Sequence, residues 1–315
     1  MDEGQSGYVP VLGYRLFYRS FGGDRGLPTV LGLHGGPGAC HDYLVPLADL
    51  TEYGYRVVLF DQLGCGRSDV PDDPALFTLE HHVLETEEVR RNLSLGRVHL
   101  LGSSYGGLLA LAVALAHPEG LRSLTTVGGL ASVPLTQAEM TRLRRELPPS
   151  IQETLDRCEA SGSTRTPEYE AAAMEFYRRH LCRLWPWPTE LTRSLEAALS
   201  HPVYPLMNGP SEFTITGTIK DVDLSSQLPR IHLPTLVLGG RYDEVTPRVA
   251  EQIRTGIPGA RGVTFAESSH VPFWEERARF MAVVARFLDS VDRKPSPART
   301  PERPGDAGRP PGGRG

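Results

Sequence analysis

Short runs of apolar and β-branched residues recur along the chain, and nearly all of them end at Gly, Asp or Ser. Seven such runs stand out: YRLFYRS (14–20), TVLGLHG (29–35), YRVVLFD (55–61), RVHLLGS (97–103), LTTVGGL (124–130), PTLVLGG (234–240) and GVTFAES (262–268). Runs of this length are typical of β-strands. Stretches with helical character lie between several of them, namely GGLLALAVALAHPEG (106–120) and ERARFMAVVARFLDSV (276–291). This alternation predicts an α/β fold with a mostly parallel sheet flanked by helices.

The alternation stops between about 131 and 221. Three stretches there are predicted to be helices: LTQAEMTRLRREL (135–147), TPEYEAAAMEFYRRHLCRL (166–184) and TELTRSLEAALSH (189–201). Thr136 followed by Glu139 predicts a capping box, and Thr166 followed by Pro167 predicts a helix that begins with an N-cap and a proline. The block is therefore predicted to be a helical insertion between two strands of the sheet.

The pattern divides the chain into three parts. Residues 1–130 and 222–293 are predicted to form the α/β core, and residues 131–221 a helical cap. The remaining residues, 294–315, read KPSPARTPERPGDAGRPPGGRG and contain no aliphatic side chain other than Ala. Such a segment cannot offset the entropy lost on ordering, so this tail is predicted to be disordered.

Composition and charge exclude several classes of partner. The net charge of −5 and the pI near 6.1 leave no basic surface of the kind that nucleic-acid binding requires. The N-terminus has no secretory pattern and no apolar run is long enough to span a membrane, which predicts a cytoplasmic protein without membrane contact. The cysteines show no zinc spacing, so neither a metal nor a cofactor is expected. The oligomeric state is not determined by the sequence.

A candidate nucleophile lies between a predicted strand and a predicted helix. Residues Gly102 to Gly106 read GSSYG, a G-x-S-x-G pattern with Ser104 at its centre. A sharp strand-to-helix turn needs small residues on either side, and it exposes the central serine at the start of the helix. A tight loop without chemistry would also use Gly and Ser, but the strand and helix on either side favour the catalytic interpretation.

A serine hydroxyl needs a base to take its proton and a third group to orient that base. On this architecture the acid and the histidine follow the serine in the chain, each after a later strand. Asp243 follows TLVLGG and His270 follows GVTFAESS, so both occupy the expected positions. The sequence therefore predicts a triad of Ser104, Asp243 and His270.

An oxyanion hole needs at least two N–H donors near the nucleophile. The amide of Tyr105, which follows Ser104, is the first candidate. The Gly-rich loop LHGGPGACHDYL offers Gly35 and Gly36 as the second, because a backbone without side chains can approach a bound carbonyl. Gly-rich loops also bind phosphates, but the sequence has neither GKS/GKT nor an intact G-x-G-x-x-G, so a nucleotide is not expected.

Taken together, the motifs resemble those of the proline iminopeptidase family of α/β-hydrolases. They are HGGPG (34–38), DQLGCGRSD (61–69), GSSYGG (102–107), RYDEVTP (241–247) and, in the insertion, MNGPSEFTITGTIKDVDL (207–224). The likeness extends from about residue 8 to about residue 290 and is greatest to the tricorn-interacting aminopeptidase branch. It implies an α/β-hydrolase fold with the insertion as a lid over the site.

The resemblance also implies roles for two further acids. Glu212 and Glu244 are expected to bind the free α-amine of a peptide, while Asp243 orients His270. Successive side chains of an extended chain point to opposite sides, so Asp243 and Glu244 can serve different partners. The implied activity is that of a metal-independent serine aminopeptidase that releases N-terminal residues, proline among them, through an acyl-enzyme. Its substrates would be short peptides or aminoacyl amides with a free N-terminus.

Alternatives remain open at this point. The same triad could serve an amidase, an esterase or a peptide-tailoring hydrolase of a biosynthetic pathway. A hydrolase fold without activity, used as a binding protein, is a third hypothesis. The aromatic residues of LWPWP (184–188) and Tyr204 could wall a pocket for the first side chain or belong to the core.

Overall fold

The structure is a computed structural model that describes residues 4–23 and 26–293. The tail predicted to be disordered, 294–315, lies outside the described residues. Among the helices of the described ranges, none has the length and apolar character needed to cross a bilayer.

Within the described residues, eight strands form one sheet: β1 Gln5–Val11, β2 Tyr14–Phe21, β3 Thr29–Leu33, β4 Arg56–Phe60, β5 Val98–Ser103, β6 Leu121–Val127, β7 Thr235–Gly240 and β8 Arg261–Phe265. Their order across the sheet is β1-β2-β4-β3-β5-β6-β7-β8. β2 pairs antiparallel with β1 and β4, whereas the other neighbours are parallel. The predicted α/β fold with a mostly parallel sheet is confirmed.

The α-helices in the described part of the chain are α1 Leu79–Asn92, α2 Tyr105–Ala116, α3 Val133–Arg144, α4 Pro149–Ala160, α5 Pro167–His180, α6 Thr189–Ser200, α7 Val203–Met207, α8 Pro247–Gly256, α9 Pro272–Glu275 and α10 Arg277–Asp292. Segments of 3₁₀ helix span His41–Tyr53, Pro74–Leu76, Pro118–Gly120 and Ser225–Arg230. Helices therefore connect most of the parallel strands, as crossover connections require.

Each predicted strand falls on one of β2 to β8. The run at 124–130 is displaced, because β6 spans Leu121–Val127 and the chain turns at Gly128, whose φ is 53°. The sequence pattern does not predict β1. That strand contains Gly7 and Pro10, residue types that are rare in strands, and it lies at the edge of the sheet beside β2.

Side chains of the central strands alternate between two apolar layers. Val57 and Leu59 of β4 belong to one buried cluster together with residues of the 3₁₀ segment His41–Tyr53 and of α10. Val58 and Phe60 point to the opposite face and belong to a second cluster, which includes residues of α2. This alternation is the period of two that strand geometry imposes, and it covers both faces of the sheet, as parallel strands require.

Helices α3 to α7 lie between β6 and β7 in the chain. The two ends of this segment meet, because Val133 N–H donates to Val222 O at 2.9 Å and Leu224 N–H donates to Ala131 O at 2.7 Å. The chain thus leaves the sheet and returns to it at one point. This closure supports the boundaries of the predicted cap, 131–221, although the division into core and cap stays a prediction.

The start of α3 differs from the predicted capping box. Ser132 is the N-cap, and its Oγ accepts from Leu135 N–H at 3.4 Å. Thr136 and Glu139 lie inside the helix, so the capping-box prediction is wrong. The Glu139 carboxylate instead accepts from Thr246 Oγ1 at 2.9 Å, a partner distant in the chain that local spacing cannot reveal.

The predicted start of α5 is confirmed. Thr166 Oγ1 accepts from Tyr169 N–H at 3.3 Å, and Pro167 is the first helical residue. A proline is well placed there because its missing N–H would have no partner in the first turn. The cap helix that begins here ends at His180, beside the loops after β7 and β8.

Candidate active site

Ser104 lies at the sharp turn between β5 and α2. Its backbone has φ 58° and ψ −125°, a conformation that side-chain-bearing residues rarely adopt. A Cβ at Gly102 would collide with the Gly106 carbonyl, and a Cβ at Gly106 would collide with the Leu33 carbonyl. The two glycines of the G-x-S-x-G motif are therefore required by close backbone contacts, and Ser104 is partly exposed at the apex.

His270 and Asp243 form a buried pair at the ends of β8 and β7. His270 Nδ1 lies 2.6 Å from Asp243 Oδ1, which also accepts from Val245 N–H at 2.8 Å. An ionised carboxylate only accepts hydrogen bonds, so Nδ1 carries the hydrogen and Nε2 is directed elsewhere. Gly128 permits this packing, because a Cβ there would lie 2.7 Å from Nδ1.

Ser104 and His270 line one cavity, together with Gly36 and Glu212. The hydrogen bonds among the described residues do not include one between Ser104 Oγ and the His270 ring. Catalytic hydrogen bonds of this kind often shorten only when substrate is bound. The structure thus brings the three predicted triad residues to one place, with the His–Asp contact formed.

In the Gly-rich loop after β3, one of the two expected N–H donors of the oxyanion hole is already hydrogen bonded. Gly35 N–H donates to Tyr43 Oη at 2.8 Å, so this amide already has a partner. A Cβ at Gly35 would lie 2.7 Å from Ser104 Cβ, which explains why glycine is required there. Gly36 lines the cavity, and Tyr105 is the first residue of α2, where an N–H has no acceptor within the helix. The expected donors that remain are thus Gly36 and Tyr105.

Glu244 is buried without a hydrogen-bond donor. Its side chain is fully inaccessible, and neither carboxylate oxygen has a partner among the described residues. Glu244 Oε1 lies 3.9 Å from His270 Nε2. Burial raises the pKa of this carboxyl well above its ordinary value. The charge of His270 opposes that increase, whereas the neighbouring acids Glu212 and Asp243 add to it.

Glu212 faces the same cavity from the cap. Its Oε1 accepts from Tyr204 Oη at 2.8 Å, and its N–H donates to Tyr177 Oη at 3.5 Å. Burial raises the pKa of Glu212 as well. In the described part of the chain, no Lys or Arg forms an ion pair with Glu212 or Glu244.

The neighbouring acids also raise the pKa of the His270 imidazole. Burial alone would lower the pKa of His270, but the charge and hydrogen bond of Asp243 and the charges of Glu244 and Glu212 outweigh it and raise the pKa to about 10. The cavity therefore stabilises positive charge.

The end of α5 is hydrogen bonded to both catalytic loops. Glu244 N–H donates to His180 O and His270 N–H donates to Leu181 O, each at 3.2 Å. His180 Nδ1 lies 2.9 Å from Tyr242 O. The sequence analysis does not predict these contacts or those of Tyr43 and Tyr177. Each involves a main-chain group, and such a group can be bonded at any residue type, so no sequence motif marks it.

The apolar wall of the cavity differs from the aromatic wall considered from the sequence. Its apolar residues without a ring are Ala39, Leu181, Leu191, Leu195, Ala198 and Val271. The apolar spacing of TELTRSLEAALSH was the available signal for the three residues on α6.

Neither of the two tryptophans in LWPWP lines the cavity. Trp187 Nε1 donates to Cys182 O at 2.9 Å, whereas Trp185 is 66% exposed and lies under Arg178. Of the aromatic residues considered from the sequence, Tyr204 reaches the site, through its bond to Glu212.

One group in the described ranges has the spacing to hold a metal ion, namely Glu87, His117 and Glu119. Glu87 already accepts from Arg90 and Arg91 at 2.7 Å. None of the three lines the cavity at Ser104.

Comparison with known families agrees with this geometry. A family model described as alpha/beta hydrolase fold matches residues 28–277. The solved structure of VinJ superposes with a TM-score of 0.88 at 41% identity, covering 91% of this chain and 99% of that one. The sheet, the serine turn and these matches define the protein as an α/β hydrolase.

Relatives with assigned names narrow the class. The proline iminopeptidase of Saccharolobus solfataricus is 45% identical over 291 residues, covering 91% of this chain and 93% of the relative. That of Thermoplasma volcanium is 42% identical, covering 90% and 97%. The solved proline iminopeptidase of Mycobacterium smegmatis has a TM-score of 0.84 at 38% identity, covering 91% and 99%. The chain belongs to the proline iminopeptidase family. These names do not distinguish a branch, so the tricorn-interacting branch stays a prediction.

Proposed function

We propose that this protein is a serine aminopeptidase of the prolyl iminopeptidase type, which releases N-terminal residues, proline among them, from short peptides. The observation that carries the proposal is the pair of acids beside the imidazole. Glu244 is buried without a hydrogen-bond donor among the described residues, and Glu212 faces the same cavity as Ser104 and His270. A buried carboxylate needs a cation or a donor, and the α-ammonium of a peptide supplies both.

The reaction would proceed through an acyl-enzyme. His270 Nε2 takes the proton of Ser104 as Oγ attacks the scissile carbonyl, and Asp243 holds the ring orientation. The N–H groups of Tyr105 and Gly36 stabilise the oxyanion. His270 then returns the proton to the leaving amine, and water releases the amino acid in a second cycle of the same steps.

Exopeptidase specificity follows from the position of the acids. The bound ammonium must lie between Glu212 on the cap and Glu244 on the core, so the residue next to the scissile bond is the first of the peptide. The proposed cap, 131–221, closes the site beyond that residue. A blocked terminus loses the positive charge and adds atoms where the acids stand.

A substrate pair tests the proposal. Prolyl-aminomethylcoumarin and its N-acetyl form share the scissile bond and differ at the amine. We expect hydrolysis of the free form and a loss of kcat/KM of at least about 100-fold for the acetylated form, since two charge-assisted hydrogen bonds, one to each acid, contribute about 1.5–3 kcal/mol each. Equal rates would contradict the amine clamp.

Substitutions of single acids test which residue is responsible for the discrimination between the free and the acetylated substrate. Glu212→Gln should lower kcat/KM for the free amine by about tenfold to 100-fold without lowering the weak reaction of the acetylated form. Glu146→Gln, an exposed cap residue paired with Arg142 at 2.7 Å, is the matched control. A parallel loss with both substrates would point to general damage instead.

The other hydrolase functions considered from the sequence are not favoured. The relatives from Saccharolobus solfataricus and Thermoplasma volcanium are named proline iminopeptidases.

A further inference from the structure

The imidazole of His270 has a different acid on each of its two nitrogens. Nδ1 is bonded to Asp243 Oδ1 at 2.6 Å, and Nε2 lies 3.9 Å from Glu244 Oε1. Nε2 is the atom that must accept the proton of Ser104. The acid proposed to bind the substrate amine is therefore also the nearest carboxylate to the reacting nitrogen.

Acids outnumber cations around this ring. The titratable groups that surround it are Asp243 and Glu244 from the loop after β7, Glu212, Tyr204 and His180 from the cap, and Tyr43 and Glu275 from the core. None of these is Lys or Arg. Burial alone would lower the pKa of His270, but the charges of the acids outweigh it and raise the pKa to about 10. Nε2 is also the nearest donor to the unpartnered Glu244 carboxylate, so the geometry favours a proton on Nε2 in the free enzyme.

We propose that the ammonium group of the substrate itself activates the catalytic base, because its binding at Glu212 and Glu244 displaces the proton held on His270 Nε2. The proposal rests on the proposed function and adds a step to it. Glu244 would then determine specificity in the chemical step as well as in binding.

The step balances in charge and protons. One ammonium enters the site with its positive charge, and one proton leaves Nε2 for solvent, so the net charge of the site is unchanged. A second cation within about 4–6 Å disfavours the first, which is why the imidazolium loses its proton when the ammonium arrives. Nε2 is then free to accept the proton of Ser104 Oγ.

A substrate without an amine cannot bring about this exchange. It leaves His270 protonated, so Ser104 keeps its hydroxyl hydrogen even when the scissile carbonyl is in place. Blocked peptides that do bind are thus also rejected in the acylation step.

Phosphonylation of Ser104 by a small alkyl fluorophosphonate tests the proposal, because this probe has no amine and reports how readily the hydroxyl loses its proton. The second-order rate is measured between about pH 6 and pH 10, with and without pyrrolidine as the cation. For the wild type we expect pyrrolidinium to move the midpoint of the profile down by at least about one pH unit, which is about tenfold in rate near neutral pH.

The variant Glu244→Gln separates this step from amine binding. Its midpoint should lie below that of the wild type without any cation, and pyrrolidinium should no longer move it. Glu146→Gln should behave like the wild type. Thermal unfolding of each variant excludes loss of the fold as the cause.

The outcomes distinguish the two proposals. If pyrrolidinium slows labelling at every pH, or the profile of Glu244→Gln matches that of the wild type, the activation step is overturned, while discrimination between free and acetylated substrates would persist. If that discrimination is absent, the proposed function itself fails.

Discussion

Single residues at the serine turn carry strain that can be measured. Ser104 has φ 58° and ψ −125°, and Ser94, at the end of α1, has φ 54°. A side chain at positive φ costs roughly 1–3 kcal/mol, which contacts with the surrounding structure must offset. In Ser104 this conformation aims the hydroxyl at the cavity.

We expect Ser104→Gly to be more stable than Ser104→Ala by about 1 kcal/mol, because glycine adopts this backbone without strain and alanine does not. Both variants lack the Ser104 hydroxyl and should be inactive, so the comparison concerns stability alone. Chemical denaturation gives the two free energies of unfolding.

Ser94→Gly and Ser94→Ala provide the matched control, since that residue shares the positive φ and lies outside the cavity. A similar difference at both positions would attribute the strain to φ alone. Equal stabilities of the two Ser104 variants would contradict strain at the nucleophile.

At the scale of elements, α3 holds the segment that follows Glu212. Gln137 Oε1 accepts from Ile215 N–H at 2.6 Å, and its Nε2 donates to Phe213 O at 2.8 Å. One side chain thus satisfies two main-chain groups of an irregular loop. Phe213 directly follows Glu212, so Gln137 is a positioning residue for the proposed amine clamp.

We expect Gln137→Leu to lower kcat/KM for the free-amine substrate by about tenfold, mainly through KM, and to affect the acetylated substrate little. Two hydrogen bonds of about 1 kcal/mol each are lost. Steady-state kinetics with both substrates checks this. In the control Gln152→Leu, the lost bonds are to Arg145 O and Leu147 O, so the ratio between substrates should stay unchanged.

The elements show where sequence reasoning succeeds. β3, β5 and β7 are buried at every position, and their continuous apolar runs predict them. Thr166 is an N-cap because its side chain bonds to a residue three positions away, which is a local property. β1 and the start of α3 are not predicted from the sequence. Whether an edge strand forms, and which of two candidate residues is the N-cap, depends on contacts with distant parts of the chain.

At the scale of the whole molecule, stability depends on acids that folding buries. Glu85 on α1 is 1% exposed, its Oε1 accepts from Leu63 N–H at 3.1 Å, and its Oε2 has no donor among the described residues. Burial raises the pKa of Glu85 well above its ordinary value. The native state therefore binds more protons than the unfolded chain above that ordinary value.

It follows that this group favours folding at low pH and loses that contribution as pH rises from the ordinary carboxyl pKa through the raised native one. Glu85→Gln, which keeps an acceptor for Leu63, should flatten this fall and raise the free energy of unfolding at about pH 8. Each unit of native pKa increase is about 1.4 kcal/mol.

Urea unfolding of the wild type and Glu85→Gln at about pH 5 and about pH 8 measures the effect. The partly exposed Glu88 of the same helix gives the control Glu88→Gln, for which the difference from wild type should not change with pH in this way. A difference for Glu85→Gln that does not depend on pH would contradict the assignment.

The sequence by itself determined strands β2 to β8, the serine turn and the chain order of Ser104, Asp243 and His270, because these depend on local periodicity and on small residues at fixed spacing. The resemblance to a family added Glu212 and Glu244.

Only the tertiary structure decided which polar groups find partners. In the folded chain the Gly35 amide donates to Tyr43, and the end of α5 is hydrogen bonded to both catalytic loops. Glu244 lies beside His270 and has no donor among the described residues. The physical reason is that burial and hydrogen-bond pairing are set by residues far apart in the chain, which no local pattern records.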